Sequence, residues 1–387
     1  MTTVFLKNIG TIVSGDIADP ILEGDGIVIE DGKIKAAGFL SGMTPEKGGR
    51  VIDCGGMTVT PGLIDSHCHV VLGDWAPRQN QIGFLDSAVH GGVTTFISAG
   101  EVHLPGRPKD PAGTKALAIL ASKSFSNFRP GGAKVIGGGL ILEKGLTRED
   151  FAEMAREGVC VVGEIGLGSV KEPEDAAPMV RWAKEEGMTV MMHTGGTSIP
   201  GSSTVTAEQV MKTGPHIASH VNGGPTAVAL EEARKLIEET DIAVEIVHCG
   251  NPKMAVDVTG ICLEKGALAR MIIGNDAPSG TGVIPLGILR VINHLASLTP
   301  LRAEEALCMA TGNTARIYKL NRGIIEEGRE ADLVVMDAPI GSVGEDALSA
   351  IEAGDVPGVA MVLVDGEIVV NKSRNTPPAR RTVTVKG

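Results

Sequence analysis

From residue 63 to residue 276 the chain repeats one pattern: a short apolar run, then a longer stretch whose apolar positions recur every three or four residues. Eight such runs can be read: Leu63–Val70, Val93–Ala99, Ala133–Leu142, Cys160–Gly166, Thr189–His193, His216–His220, Ile242–His248 and Arg270–Asp276. Their length and bounding turn residues predict strands, and the stretches between them predict helices. Thr147–Glu157 is one, with Thr147 as cap and Glu149 and Asp150 in the first turn; Thr226–Glu239 is another, with Leu230, Ala233 and Leu236 on one face. Eight strand–helix units in series predict a (β/α)8 barrel. Both ends of the chain have a different texture, of short alternating strands. Thr2–Ile9, Thr11–Ser14, Gly26–Glu30 and Lys33–Ala37 open the chain, with Asp31-Gly32 as a hairpin turn; Ala331–Asp337, Val359–Val364 and Glu367–Val370 close it, with Asp365-Gly366 as a second. The expected architecture is α/β: a barrel over 62–322, and one small composite β-sandwich domain built from 1–61 and 323–387.

Length fits that plan, since 387 residues exceed the ~250 of a barrel alone. The 43% hydrophobic and 21% charged fractions are those of a globular protein with ample core, and 52 glycines suit many tight turns between strands and helices. A net charge of −12 with no basic cluster argues against nucleic acid or an anionic membrane as partner. No long apolar segment and no leader-like start are present, so a cytoplasmic location is expected. Cys54, Cys68, Cys160, Cys249, Cys262 and Cys308 show no paired spacing and are expected to be reduced thiols.

Chemistry concentrates at the ends of the runs. His67 and His69 in Asp65-Ser66-His67-Cys68-His69 are two apart, and side chains two apart on a strand share a face, so the pair can hold one metal ion. Glu164 ends the fourth run, His193 the fifth, His220 the sixth and Asp276 the eighth. A (β/α)8 barrel carries its function at the C-terminal ends of its strands, where these six residues would meet. Four imidazoles and two carboxylates suffice for two divalent cations. The competing readings are unrelated histidines for His67 and His69, an ion pair for Glu164, and a helix cap for Asp276. His248, ending the seventh run, is expected at the pocket as a catalytic residue: a substrate contact, an oxyanion stabiliser, or the base should Asp276 not serve. His90, His103, His216 and His294 are expected to pack or lie on the surface.

Pro61-Gly62-Leu63-Ile64-Asp65-Ser66-His67-Cys68-His69, the later single histidines, Gly274-Asn275-Asp276 and the closing Gly328–Val335 segment resemble the amidohydrolase superfamily over nearly the whole chain. The resemblance implies a distorted barrel with a sandwich of both termini, and hydrolysis of amides or related bonds by metal-activated water. Asp276 would take a proton from that water and pass it to the leaving nitrogen. The commonest pattern in the superfamily has a carbamylated lysine on strand four bridging two metals. Here that strand reads Val161-Val162-Gly163-Glu164-Ile165-Gly166, so Glu164 is the expected bridge, with Lys144 as the alternative. A glutamate there is similar to a branch that opens a cyclic enamide lactam in bacterial nicotinate fermentation, and that likeness implies two divalent metal ions per chain, zinc and iron, a small-molecule cyclic amide substrate and a homotetramer. Other branches leave open a dipeptidase or N-acyl-amino-acid hydrolase, or a mononuclear deaminase; a non-catalytic scaffold is the alternative of another class. Arg78, Arg107 and Lys109 lie near strand ends, where a carboxylated substrate would need a cation.

Overall fold

The structure is a computed structural model describing residues 3–40, 48–70, 72, 81–196, 204–223, 228–278 and 284–387. Arg78 and the start of the Thr226–Glu239 stretch fall outside these residues.

Each of the eight apolar runs carries one parallel strand: β1 (Leu63–Cys68), β2 (Val93–Ser98), β3 (Lys134–Ile136), β4 (Val161–Ile165), β5 (Thr189–His193), β6 (Ile217–Ser219), β7 (Ala243–Val247) and β8 (Met271–Gly274). They form two arcs, one ordered β3-β2-β1 and one running β4 to β8 in sequence order. The arcs meet at two bridges, Leu140 with Val162 and Cys68 with Ala277, which close the barrel. Ile64, Ile97, Val161, Met191, Ile217, Ala243 and Ile272 fill its interior, and Tyr318, buried beneath them, donates to the Ser66 carbonyl at 3.0 Å. Outward-facing residues of the same strands, such as Phe96, Val162, Val190, Val244, Ile246 and Ile273, pack against the helices. This alternation is why the runs read as continuously apolar: both faces are covered.

The expected helix at Thr147 runs over Arg148–Arg156, where Asp150 accepts from the Thr147 backbone and hydroxyl, both at 2.9 Å. The other stretch is helical over Leu230–Glu239, with Ala233, Leu236 and Ile237 buried.

Two further sheets draw on both ends of the chain. In one, Thr3–Lys7, Gly26–Glu30, Lys33–Gly38 and Arg50–Asp53 are joined by Thr384–Lys386; in the other, Thr11–Val13, Ile21–Leu22 and Thr58–Pro61 are joined by Leu333–Asp337, Gly358–Val364 and Glu367–Val370. Their inner faces share a core that includes Leu6, Ile12, Ile29, Val59, Leu333 and Leu363. The stretch read as one run across Thr58–Val70 is thus divided, Thr58–Pro61 lying in the sandwich and Leu63–Cys68 in the barrel. Gly62 is the joint: its N–H donates to the Asp332 carbonyl at 2.7 Å, and a Cβ there would sit 2.1 Å from the Thr94 hydroxyl oxygen. Barrel and sandwich are also clamped by Lys134, whose buried ammonium contacts Glu330 at 2.6 Å, Asp332 at 2.8 and 2.9 Å, and Asp365 at 2.6 Å.

Candidate metal centre

β1 is irregular where its histidines lie. Its register against β2 shifts between Asp65 and Cys68, yet His67 and His69 converge, their Nε2 atoms 3.4 Å apart. β4 has the same kind of irregularity between Val162 and Ile165. Gly163 permits it: its N–H donates to the Leu140 carbonyl and that of Glu164 to the Ala99 carbonyl, both at 2.8 Å, and a Cβ on Gly163 would meet the Ala99 oxygen at 2.6 Å. Such a bulge re-aims a side chain, and here it sends Glu164 into the barrel mouth.

Two groups of three result, each with its ligand atoms within 4.8 Å of one another: His67, His69 and Asp276, and Glu164, His193 and His220. Asp276 Oδ1 lies 3.6 Å from His67 Nε2 and 3.3 Å from His69 Nε2. Glu164 joins the groups. Its Oε2 is 3.8 Å from His67 Nε2 and 3.7 Å from His69 Nε2, while its Oε1 is 2.9 Å from His193 Nδ1 and touches His220 Nε2.

The tautomers of the first pair are settled by their other nitrogens. His67 Nδ1 faces a carboxylate oxygen of Glu245 at 2.8 Å and His69 Nδ1 faces the Gly100 carbonyl at 3.2 Å, and both partners only accept. Each Nδ1 is therefore the donor, which leaves the two Nε2 atoms turned towards each other and towards two carboxylates. That arrangement calls for a cation. Separations of 3.3 to 3.8 Å match the edges of a coordination shell, since a tetrahedron with bonds of ~2 Å has edges of about 3.3 Å. In the other group His193 Nε2 and His220 Nδ1 are buried without a hydrogen-bond partner among the described residues. Without a cation, protons take its place. Burial disfavours a charged His67, but Glu245, Asp276 and Glu164 outweigh it and raise its pKa to about 10. Burial likewise opposes ionisation of Glu164, and His220 and His193 outweigh it, holding that carboxyl well below the usual range.

Residues 58–369 match the amidohydrolase family model. The whole chain is 60% identical to enamidase from Eubacterium barkeri, over 385 residues covering 100% of both proteins. The chain belongs to the amidohydrolase family. As a structure, this amidohydrolase matches the crystal structure of enamidase with a TM-score of 0.97 over 100% of both chains. It shares only the fold with β-aspartyl dipeptidase from Fervidobacterium islandicum AW-1, at 17% identity and a TM-score of 0.68 over 98% of this chain and 99% of that one.

His248 lies apart from the six convergent side chains of this amidohydrolase. Along β7, Ala243 belongs to the interior core and Val244 and Ile246 to the outer one, while Glu245 meets His67 inside the barrel. Two residues past Ile246, His248 falls on the outer side, packing at Gly287 and lining a cavity beside β7. Among the described residues no hydrogen bond or ring contact joins it to the six. Being last in an apolar run put it at the mouth; the alternation of the strand turns it away. Lys144 pairs with Asp175 at 3.0 Å on the surface, away from Glu164. Arg107 is engaged by the buried Glu143 at 2.9 Å.

Sequence reading missed residues that hold the candidate ligands. Glu245, fully buried, accepts from Ser66 Oγ and His67 and is 3.3 Å from the His220 N–H. Asp65, also fully buried, accepts from the backbone and side chain of Asn275 at 2.9 and 2.8 Å, fixing the residue before Asp276. Burial pushes its pKa up to about 6 despite these donors. For Glu245 the available signal was an acidic residue inside an otherwise apolar strand, which burial tolerates only with partners. His103 also comes close, its ring 5.6 Å from that of His69 and edge-on.

Proposed function

We propose that this amidohydrolase is an enamidase, which opens the cyclic enamide lactam 1,4,5,6-tetrahydro-6-oxonicotinate to 2-formylglutarate and ammonia. The observation that carries the reading is the 60% identity to enamidase from end to end of both chains. His67, His69, Glu164, His193, His220 and Asp276 are the proposed ligands of two metal ions, Glu164 being the bridge. Imidazole and carboxylate donors suit zinc and iron, the metals we assign. Two divalent cations at these positions would supply charge that brings water towards ionisation near neutral pH and polarises an amide carbonyl.

The chain's own groups do the rest. Asp276 takes a proton from the attacking water as its oxygen bonds to the lactam carbonyl carbon. The C–N bond then breaks, and Asp276 returns the proton to the departing nitrogen. A second water adds to the enamine so released, giving the aldehyde and ammonia. Glu245 and the Gly100 carbonyl hold His67 and His69 with Nε2 turned inward. No helix of the described residues is long and apolar enough to cross a membrane, and we place the enzyme in the cytoplasm as a homotetramer.

The test is ammonia release from the lactam by metal-loaded enzyme beside the Asp276→Asn variant. The wild type should turn over and the variant should be slower by roughly 10²-fold or more with both metals retained. An inactive wild type, with hydrolysis of dipeptides instead, overturns the enamidase reading.

A further inference from the structure

We propose that the cavity between the helices Pro252–Lys265 and Gly287–Leu298, on the outer side of β7, is a second binding site for a small organic carboxylate. Its volume is about 450 Å³, within the range of small-molecule sites. It lies outside the barrel mouth, because its lining descends from His248 and Pro252 past Arg290 and His294 to Leu298 and Gly354.

Charge sets the ligand class. Among the described residues no aspartate or glutamate lines this cavity, although the chain carries a net charge of −12. Arg290, His294 and His248 do line it. Among the described residues no carboxylate or other hydrogen-bond acceptor engages the Arg290 guanidinium, and His248 Nδ1 is buried without a partner. The amides lining the cavity are already committed: Asn222 to the Val247 backbone at 2.9 and 3.0 Å, and Asn293 to the carbonyls of Ile351 and Asp355 at 3.2 and 2.9 Å. His294 Nε2 is likewise taken, facing the Pro252 carbonyl at 3.0 Å, so the charged group left for a ligand is the Arg290 guanidinium, with the Ser297 hydroxyl and His248 Nδ1 as neutral partners. A guanidinium presents a planar fork that matches a carboxylate. The remaining wall is apolar, with Ala255, Val291, Leu298 and Val356, which suits an anion that has an aliphatic body and gives inorganic phosphate nothing to bury. Arg290 is exposed, so its replacement should leave the fold intact.

Glutarate is a suitable probe. Calorimetric titration of the metal-loaded enzyme should give saturable binding that weakens at least tenfold in Arg290→Ala and is unchanged in Asp276→Asn. Binding that survives Arg290→Ala but falls in Asp276→Asn would place glutarate at the barrel mouth and overturn the proposal. So would the lack of saturable binding at millimolar glutarate, and tighter Arg290-dependent binding of inorganic phosphate would overturn the carboxylate class.

Discussion

Glu164 is one residue facing four imidazoles, with one oxygen turned to each pair. Replacing it with alanine would leave two cations facing each other without the shared charge, a repulsion enhanced where water is scarce. Glu164→Ala should therefore retain about one metal per chain, measured by elemental analysis. Because no lysine carbamate is needed, metal-free wild-type protein should recover both metals in degassed, carbonate-free buffer; strict dependence on bicarbonate would move the bridge elsewhere. Glu245 permits a finer test. Glu245→Gln keeps the shape but offers His67 Nδ1 a weaker acceptor, so affinity for the metal between His67 and His69 should drop by about 10- to 100-fold, read by competition with a chelator, while the fold persists. At this scale the direct ligand candidates were legible because each ends an apolar run. Glu245 and Asp65 were not, since what identifies them is a partner on another strand: His67 for one, Asn275 for the other.

Strands and their joints carry the next set of consequences. Lys134 on β3 ties the barrel to Glu330, Asp332 and Asp365 of the terminal segments. Removing only the cation leaves Asp332, almost wholly buried, without its ion-pair partner, while Glu330 and Asp365 keep Arg322 and Arg129. Lys134→Met should cost about 3–5 kcal/mol, visible as a lower urea midpoint. Glu101, just past β2, gives a pH test. It is 1% exposed, one of its oxygens accepts from the Leu72 N–H at 2.7 Å and the other has no partner among the described residues. Burial raises its pKa from 4.5 to about 8 despite that bond. Between those values the folded chain keeps a proton that the unfolded chain has lost, so stability falls as pH rises through this window. Glu101→Gln removes the ionisation, and its melting temperature relative to wild type should climb between about pH 5 and pH 9. A constant difference would show that Glu101 does not ionise there. The barrel strands were readable from their length and spacing. The short strands Ile21–Leu22, Arg50–Asp53 and Thr384–Lys386 were not, having too few residues for a period to show.

For the molecule as a whole, the proposed ligands come from both arcs of the barrel, His67 and His69 from one and the other four from the second. Stripping metal should therefore abolish hydrolysis and lower the melting temperature, and added zinc or iron should restore both. An unchanged melting temperature would show that the bridges Leu140–Val162 and Cys68–Ala277 hold the arcs without help. The order of the chain has a further effect. Thr58–Pro61, the strand that leads directly into β1, pairs along one edge with Leu333–Asp337, and Arg50–Asp53 pairs with Thr384–Lys386. During synthesis the amino-terminal strands leave the ribosome long before those partners exist. Their open edges must stay unpaired while the barrel is being made, and an unpaired edge is a template for association with other nascent chains. Translation speed through the last segment, and chaperone capture before it emerges, should thus govern the yield of folded enzyme more strongly than any step inside the barrel.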